Sequence, residues 1–587
     1  MLIYPITRSW LLFLTCLILS CYIPIFSFVN NCCLRDEQIK ISLCSLKTFY
    51  LPRSQGSNNA RRLAGWQAYV PLNLENAFGN LSLTFEYNRS FDNDHIAQYF
   101  FGNTCLNFLG SQVINSFTSL LNQCETIDVC GINLIPGLII ADNFGLPTNF
   151  IGKICFKPRI QNVIVDFNYF LALDFWCKGL YWRLFAPFVV TYWNLGINCC
   201  EHNNASQINN TFLPCYMSTN QTNSLCSIQE ALAGESTFGD MNSPFDFGRI
   251  PFTQQKRIGI ADFDLILGWN AILSDTVRFA VFLLTTIPGG NRPNSEIFFE
   301  PVVGAGKNWG IGGGFEGYLN FVETENHSFG FYYFVTINHY FKTFQIRSFD
   351  FEINGPLSRY MLLKEINKTN GYNGNLLNAI DYTTKAIRVG SIFNIDAAFK
   401  LSYFYRCWGF DFGYNLWTKS SEELNIVPRV FPSDLLHRKF GIKQTEGVCY
   451  RALDTTTDQI VGGGPLNSTQ SLATISTIAP TDCPTPIPLP ANQVAITWDS
   501  STNTNNLTIA YSSNPPELVS IEQLRCGSAI VPKQLSHKFF INIDYTQYNL
   551  PWQPQISIGG EVEVSGAKNL LATLSLWGIW LKGQGNF

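Results

Sequence analysis

From residue 162 to residue 175 the chain alternates. Val163, Val165, Phe167, Tyr169, Leu171, Leu173 and Phe175 share one parity, while Asn162, Asp166, Asn168 and Asp174 share the other. A period of two sends the two sets to opposite faces of a strand. The run is more than twice the usual length of about 5–6 residues for a soluble strand. After Cys177-Lys178-Gly179, a return segment from Tyr181 to Leu195 carries Tyr181, Tyr192 and Trp193 near its ends. Long strands with one apolar face and aromatic ends are the unit of a transmembrane barrel. A large soluble sheet shares the alternation, so the rest of the chain has to decide.

The same pattern recurs. Leu81, Leu83, Phe85 and Tyr87 alternate with Ser82, Thr84, Glu86 and Asn88. Phe399, Leu401, Tyr403 and Tyr405 oppose Lys400, Ser402 and Arg406, and Phe410 to Thr418 returns after Cys407-Trp408-Gly409. Near the end, Ile556, Ile558, Gly560, Val562 and Val564 alternate with Ser557, Gly559, Glu561, Glu563 and Ser565. Apolar residues are thus spread through alternation. No uninterrupted apolar run of about 18 residues follows the N-terminus, which excludes a helical membrane protein. Charged residues are 14%, against about 25% in an average soluble domain. The net charge of −4 carries no basic excess, and no nucleic-acid partner is expected.

The one long apolar run, Trp10 to Val29, follows Arg8. Residues 1–29 read as a signal peptide for export. Cleavage is expected near Ser27 to Asn30, with Ile18-Leu19-Ser20-Cys21 a loose lipoprotein-like box. Two of the 18 cysteines, Cys16 and Cys21, leave with this leader, and the remainder is an even number. Export with many cysteines argues for disulfide-linked loops of unread pairing.

Residues 30–64 are expected to form a periplasmic or plug-like segment, within which RSQGSNNARR (53–62) reads as exposed loop. Residues 65–587 are expected to form the barrel, beginning with a short strand from Gly65 to Pro71. Large insertions fall at 92–160, 197–255, 354–383 and 419–535. Within them, a strand is expected near Gln98 to Leu106, a short helix at Val113 to Leu121, and helical character in LLKEINK (362–368). Lys256 to Ala271 and Thr276 to Thr286 read as a strand pair. Ile297 to Gly304, Trp309 to Phe321, Ser328 to Ile337 and a weaker Phe341 to Glu352 read as further strands. The fold expected is all-β: a transmembrane antiparallel barrel of about 12–16 strands with long, cysteine-containing loops. Loops so long are unusual in compact soluble domains and normal on the outer side of barrels. Placing 197–255 and 419–535 on the same side needs one strand more or fewer than this reading, with 341–352 the weakest.

Residues on the polar parity of these strands are candidates for a water-filled lumen: Asp166, Asp262, Asp264, Lys400, Arg406, Glu561 and Glu563. Their mixed signs predict weak selectivity among small hydrophilic solutes. No catalytic constellation competes. The six histidines form no HExxH, there is no GxSxG, and no CxxC pair has metal spacing. GAGKNWGIGGGFEG (304–317) lacks the GxxxxGK[ST] spacing of a phosphate loop, and repeated glycine there suits close packing in a barrel. No enzyme activity, cofactor or metal is expected.

The closing segment ATLSLWGIWLKGQGNF, ending in Phe587, resembles the last strand of bacterial outer-membrane β-barrels. In those proteins the terminal aromatic is recognised by the barrel-assembly machinery, which assigns Phe587 that role here by resemblance. With segments such as FGYNLWTKSSEEL (412–424), the chain is similar in style to porin-like barrels of obligate intracellular bacteria. Its cysteine content is similar to that of chlamydial major outer-membrane porins. The resemblance implies residence in the outer membrane, passage of small solutes and trimers, as is common among general porins. It fixes no substrate. One departure stands out: Trp577, Ile579 and Leu581 share the parity of Phe587, but Leu570, Ala572, Leu574 and Leu576 do not, which suggests a bulge near 575–577. Two rival readings remain. One is a non-conducting surface or adhesion barrel whose loops bind a host or structural partner. The other is a secreted soluble β protein, with Asn209-Asn210-Thr211 as a glycosylation site.

Overall fold

The computed structural model describes residues 46–66, 78–116, 127–129, 132–134, 137–201, 224–368, 371–427, 435, 437–443, 452–454, 459–461, 469, 471–476, 516–566 and 572–587. The signal peptide, Cys21, the Asn209 sequon and most of the strand expected at 65–71 lie outside them.

Twelve antiparallel strands close into a barrel. They are β1 (Gly79–Ser90), β2 (Arg159–Ala172), β3 (Leu180–Asn194), β4 (Asp262–Leu273), β5 (Val277–Pro288), β6 (Gly310–Glu323), β7 (His327–Arg347), β8 (Lys385–Tyr405), β9 (Trp408–Lys419), β10 (Gln534–Thr546), β11 (Gln555–Ser565) and β12 (Leu576–Asn586). Each pairs with the next, and β12 returns to β1, with Leu81 opposite Gly585 and Phe85 opposite Leu581. Closure removes both sheet edges, so every strand can satisfy its backbone in lipid.

The alternation read from sequence becomes an outside and an inside. On β11, Ile556, Ile558, Val562 and Val564 are exposed, whereas Gln555, Ser557, Glu561 and Glu563 are buried. Leu81, Leu83 and Phe85 on β1 and Phe539, Ile541 and Ile543 on β10 repeat the exposed stripe. Leu283 on β5 is 69% exposed, a position that suits a leucine against lipid tails and not against water. Aromatics gather near one rim, among them Trp269, Phe321, Tyr405, Trp408 and Tyr545, as expected at a membrane interface.

That rim carries the short connections: 173–179, 274–276, 324–326, 406–407 and 547–554. The opposite rim carries every long one: 91–158, 195–261, 289–309, 348–384, 420–533 and 566–575. The parity problem of the sequence reading disappears here. Ser328 to Ile337 and Phe341 to Glu352 are not two strands. They belong to one 21-residue strand, β7, which runs past the barrel beside the equally long β8. Register shifts between Asn338 and Thr343 explain why the alternation blurred.

The long connections fold together into a cap. Its core includes Phe100, Phe108, Phe144, Ile154, Phe298, Phe351, Tyr360, Leu363, Ile380 and Ile475, all nearly inaccessible. Several local expectations are corrected there. Residues Asn93–Phe101 are helical and the strand begins only at Cys105. The 113–121 helix is described as Ser111–Ser116. LLKEI is a strand, Leu362–Ile366, paired to Tyr372–Asn378. Ile297 to Gly304 forms no strand. The strand expected from Lys256 breaks at Ala261, and both pieces pair with β3. The suggested bulge near 575–577 is also absent: Ala572 and Leu574 belong to the cap core, and β12 starts at Leu576. Among the described residues one disulfide, Cys105–Cys155, ties two cap strands, while Cys177, Cys199, Cys200, Cys226, Cys407 and Cys526 are free thiols.

The cap has a built-in pH dependence. Asp381, on the short helix Ala379–Thr383, is 3% exposed and accepts hydrogen bonds from the Asp246 and Phe247 amides at 3.0 and 3.2 Å. Burial, reinforced by the charge of Asp246 and opposed by those amides, pushes its carboxyl up from 3.8 to about 7. Between those values the folded state holds more protons than the unfolded one, so cap stability falls as pH rises. Proteolysis of the cap is expected to be slower at about pH 5 than at about pH 8. Asp381→Asn keeps an acceptor oxygen and should reduce the difference; an unchanged difference in that variant contradicts this assignment.

Candidate functional site in the barrel lumen

A barrel of 12 strands is too wide for wall side chains alone to fill, as they do in barrels of about eight. Here the space is taken by residues 46–66. Phe49, Tyr50 and Leu51 join the cap core. The chain then descends through the lumen to Trp66, which packs on Phe170 beside the short-turn rim. The stretch read from sequence as exposed loop, 53–62, is instead enclosed by the barrel: Arg61 is 1% and Asn59 0% exposed. Asn58 starts the single helical turn of α1 (Asn59–Leu63) by accepting from the Arg61 amide at 3.2 Å.

Three arginines fasten this plug to the wall. Arg53 lies 2.6 Å from Asp396 on β8 and 3.3 Å from Glu563 on β11. Arg61 sits between Glu86 on β1 at 2.7 Å and Asp166 on β2 at 2.9 Å. Arg62 meets Asp264 on β4 at 2.5 Å and stacks 3.8 Å over Phe185. The planar fork of arginine suits two carboxylates at once, which a point-charge lysine would not match. Neutral contacts continue the circle. Ser54 donates to Asp262 at 2.7 Å, Asn58 to Glu561 at 3.3 Å and Asn59 to Thr336 at 3.0 Å. At the lower end, the Gly65 amide donates to Asp411, and Lys400 and Lys582 donate to the carbonyls of Trp66 and Ala64.

Other charges are matched within the wall. Glu316 joins Arg183 and Arg278 at 3.2 and 2.8 Å. Lys400 pairs with Asp411, and Lys538 bridges Glu561 and Glu563. The lumen is not uniformly polar. Phe282 stacks on Phe334, and Phe170, Tyr181 and Phe185 complete an aromatic sector on the β2–β8 side. Between plug and wall, a gap of about 40 Å³ beside Arg53, Asn58, Glu86, Trp417 and Lys538 has room for a few waters and no solute.

Of the seven candidates named from parity, Asp166, Asp262, Asp264, Lys400, Glu561 and Glu563 lie inside the barrel and against the plug. Arg406 does not join them. β8 ends at Tyr405, and Arg406 occupies the turn at φ 53°, exposed and directed to Asn326. Sequence reading missed Arg53, Arg61, Arg62, Glu86, Asp396 and Glu316. A signal existed: three arginines within ten residues stand ahead of strands whose polar faces carry an excess of acids. His339 points its Nδ1 at the Ile392 carbonyl, and Asp350 pairs with Arg359 and Arg525.

Phe587 closes the seam. Its backbone exchanges two 2.9 Å hydrogen bonds with Gly79, and its ring lies over Gly79 and stacks on Tyr169.

No protein-family model matches the chain, and no curated protein matches it. Among solved structures, it is similar to an outer-membrane channel of Pseudomonas putida F1 at 6% identity and a TM-score of 0.30, over 88% of this chain and 97% of that one. It is similar to a Pseudomonas aeruginosa FadL homologue at 7% and 0.26, over 92% and 99%. Likeness to the outer membrane protein OprD of Pseudomonas aeruginosa is 7% at 0.18, over 92% and 97%. Scores this low carry no argument about function. The chain's own surface decides its place. It is an outer-membrane β-barrel: closed, antiparallel, even in strand number and apolar outside.

Proposed function

We propose that this barrel is a gated outer-membrane channel for small hydrophilic solutes, closed in the present state by residues 46–66. The observation that carries this reading is the way the plug is held. Its stretch from Arg53 to Trp66 is fixed by ion pairs and polar hydrogen bonds, with apolar packing there confined to Ala60, Leu63, Ala64 and Trp66, while Phe49, Tyr50 and Leu51 stay seated in the cap core. Water can replace polar contacts at far lower cost than it can wet an apolar interface. Displacement of the plug leaves a charged wall along β8–β12, β1 and β2 that water can fill. In this reading Asp166, Asp262, Asp264, Lys400, Glu561 and Glu563 line the pore, and Phe587 serves as the mark read by the assembly machinery.

A second reading has its own support. The cap closes the long-loop end over one continuous apolar core, which suits a non-conducting surface barrel that presents its loops to a partner. Planar-bilayer recording separates the two. The wild-type barrel is expected to stay mostly closed, and Arg53→Gln/Arg61→Gln/Arg62→Gln to conduct in discrete steps. A triple variant that migrates as a folded barrel on unheated gels yet stays silent overturns the channel and favours the surface barrel.

A further inference from the structure

The ion pairs of the lumen divide into two kinds. Glu316, Asp411, Glu561 and Glu563 each have a cation on the wall itself. Glu86, Asp166, Asp264 and Asp396 have none: among the described residues their ion pairs go to plug arginines alone. These four are 0–5% exposed, and their neutral partners are Asn88, Thr286 and Asn415, side chains that orient a carboxylate without balancing its charge. The plug is thus the counter-charge of a wall that is acidic without it.

From this we infer that the open pore is cation-selective, and that Glu86 with Asp166, Asp396, and Asp264 form three stations for small organic or monovalent cations. The plug arginines occupy these stations as tethered guanidinium groups. A carboxylate in a narrow, low-dielectric passage attracts cations and repels anions far more strongly than it does in bulk water. A ring of unmatched carboxylates is also a known physical basis for cation preference in channels. The stations lie on different strands, so a cation leaving one meets the next across the lumen. This inference names the solute class of the channel proposed above and rests on that proposal.

The test is the reversal potential of Arg53→Gln/Arg61→Gln/Arg62→Gln across a roughly tenfold KCl gradient. Potassium is expected to be favoured over chloride by about tenfold or more. Adding Glu86→Gln, Asp166→Asn, Asp264→Asn and Asp396→Asn should reduce that preference several-fold. Conduction with no preference, or with preference for chloride, overturns the inference and leaves the channel standing. A folded but silent variant overturns both. A second measurement needs no variant. Millimolar guanidinium chloride, which competes for the same carboxylates, should raise the open probability of the wild-type barrel above that in equal potassium chloride. Equal responses count against the stations.

Discussion

Arg61→Ala is expected to destabilise the barrel by about 3–5 kcal/mol, because it strands two buried carboxylates at once. The Arg61 guanidinium is the sole ionic partner of both Glu86 and Asp166 among the described residues, and it also donates to the Gln55 carbonyl at 2.9 Å. Most of that loss would come from unpaired charge in a poorly hydrated place, not from the missing attraction. The combination Arg61→Ala/Glu86→Gln/Asp166→Asn removes the stranded charges and should recover much of the stability. The temperature at which the folded band disappears on gels provides the readout. A single variant as heat-resistant as wild type would show that water already balances these carboxylates.

The second large effect lies in the wall. Gly314 on β6 faces inward, and a Cβ built there would come within 1.9 Å of the Val335 carbonyl oxygen and 2.7 Å of the Phe282 ring. Gly312 is similar, at 2.0 Å from the Ile337 carbonyl. These are backbone obstacles on the neighbouring strand, and a rotamer change cannot relieve them. Gly314→Val is therefore expected to force β6 from β7 and abolish the folded, heat-modifiable form. Gly583→Ala on β12 is the control, since nothing lies within 4 Å of where a Cβ would stand at that position, and it should assemble normally. Normal assembly of Gly314→Val would mean that the strand spacing in this glycine-rich stretch is looser than the structure has it.

Much of this fold was legible because lipid on one side and charge on the other impose a strict period of two. The pattern at 81–87, 163–171 and 556–565 carried over into β1, β2 and β11 residue by residue, while Leu173 and Phe175 fall in the turn beyond β2. Legibility failed where a different solvent condition applied. Beyond the barrel, register shifts against β8 leave Phe341, Lys342 and Phe344 all exposed, so the alternation at 341–347 faded. The cap strand Leu362–Ile366 has both faces buried and looked helical. The segment 53–62 failed for a deeper reason. Polarity normally signals exposure, but inside a charged lumen polarity is what burial selects. Only its three-dimensional partners, scattered from Glu86 to Glu563, distinguish an internal ligand of the wall from a surface loop.

The route of the plug also bears on the order of assembly. Residues 46–66 precede β1 and run from the cap to the short-turn rim, while closure waits on β12, the last strand of all. Threading residues 46–66 into a finished ring would be a passage made while Glu86, Asp166, Asp264 and Asp396 still lacked their arginines. Wrapping avoids that passage: the wall can curl about the early segment as a sheet curls about a mandrel, each carboxylate meeting its arginine before the final seam zips. A barrel made in this way inherits its bore from its own leading segment, and a change in the length of that segment should be felt first as a fault of closure.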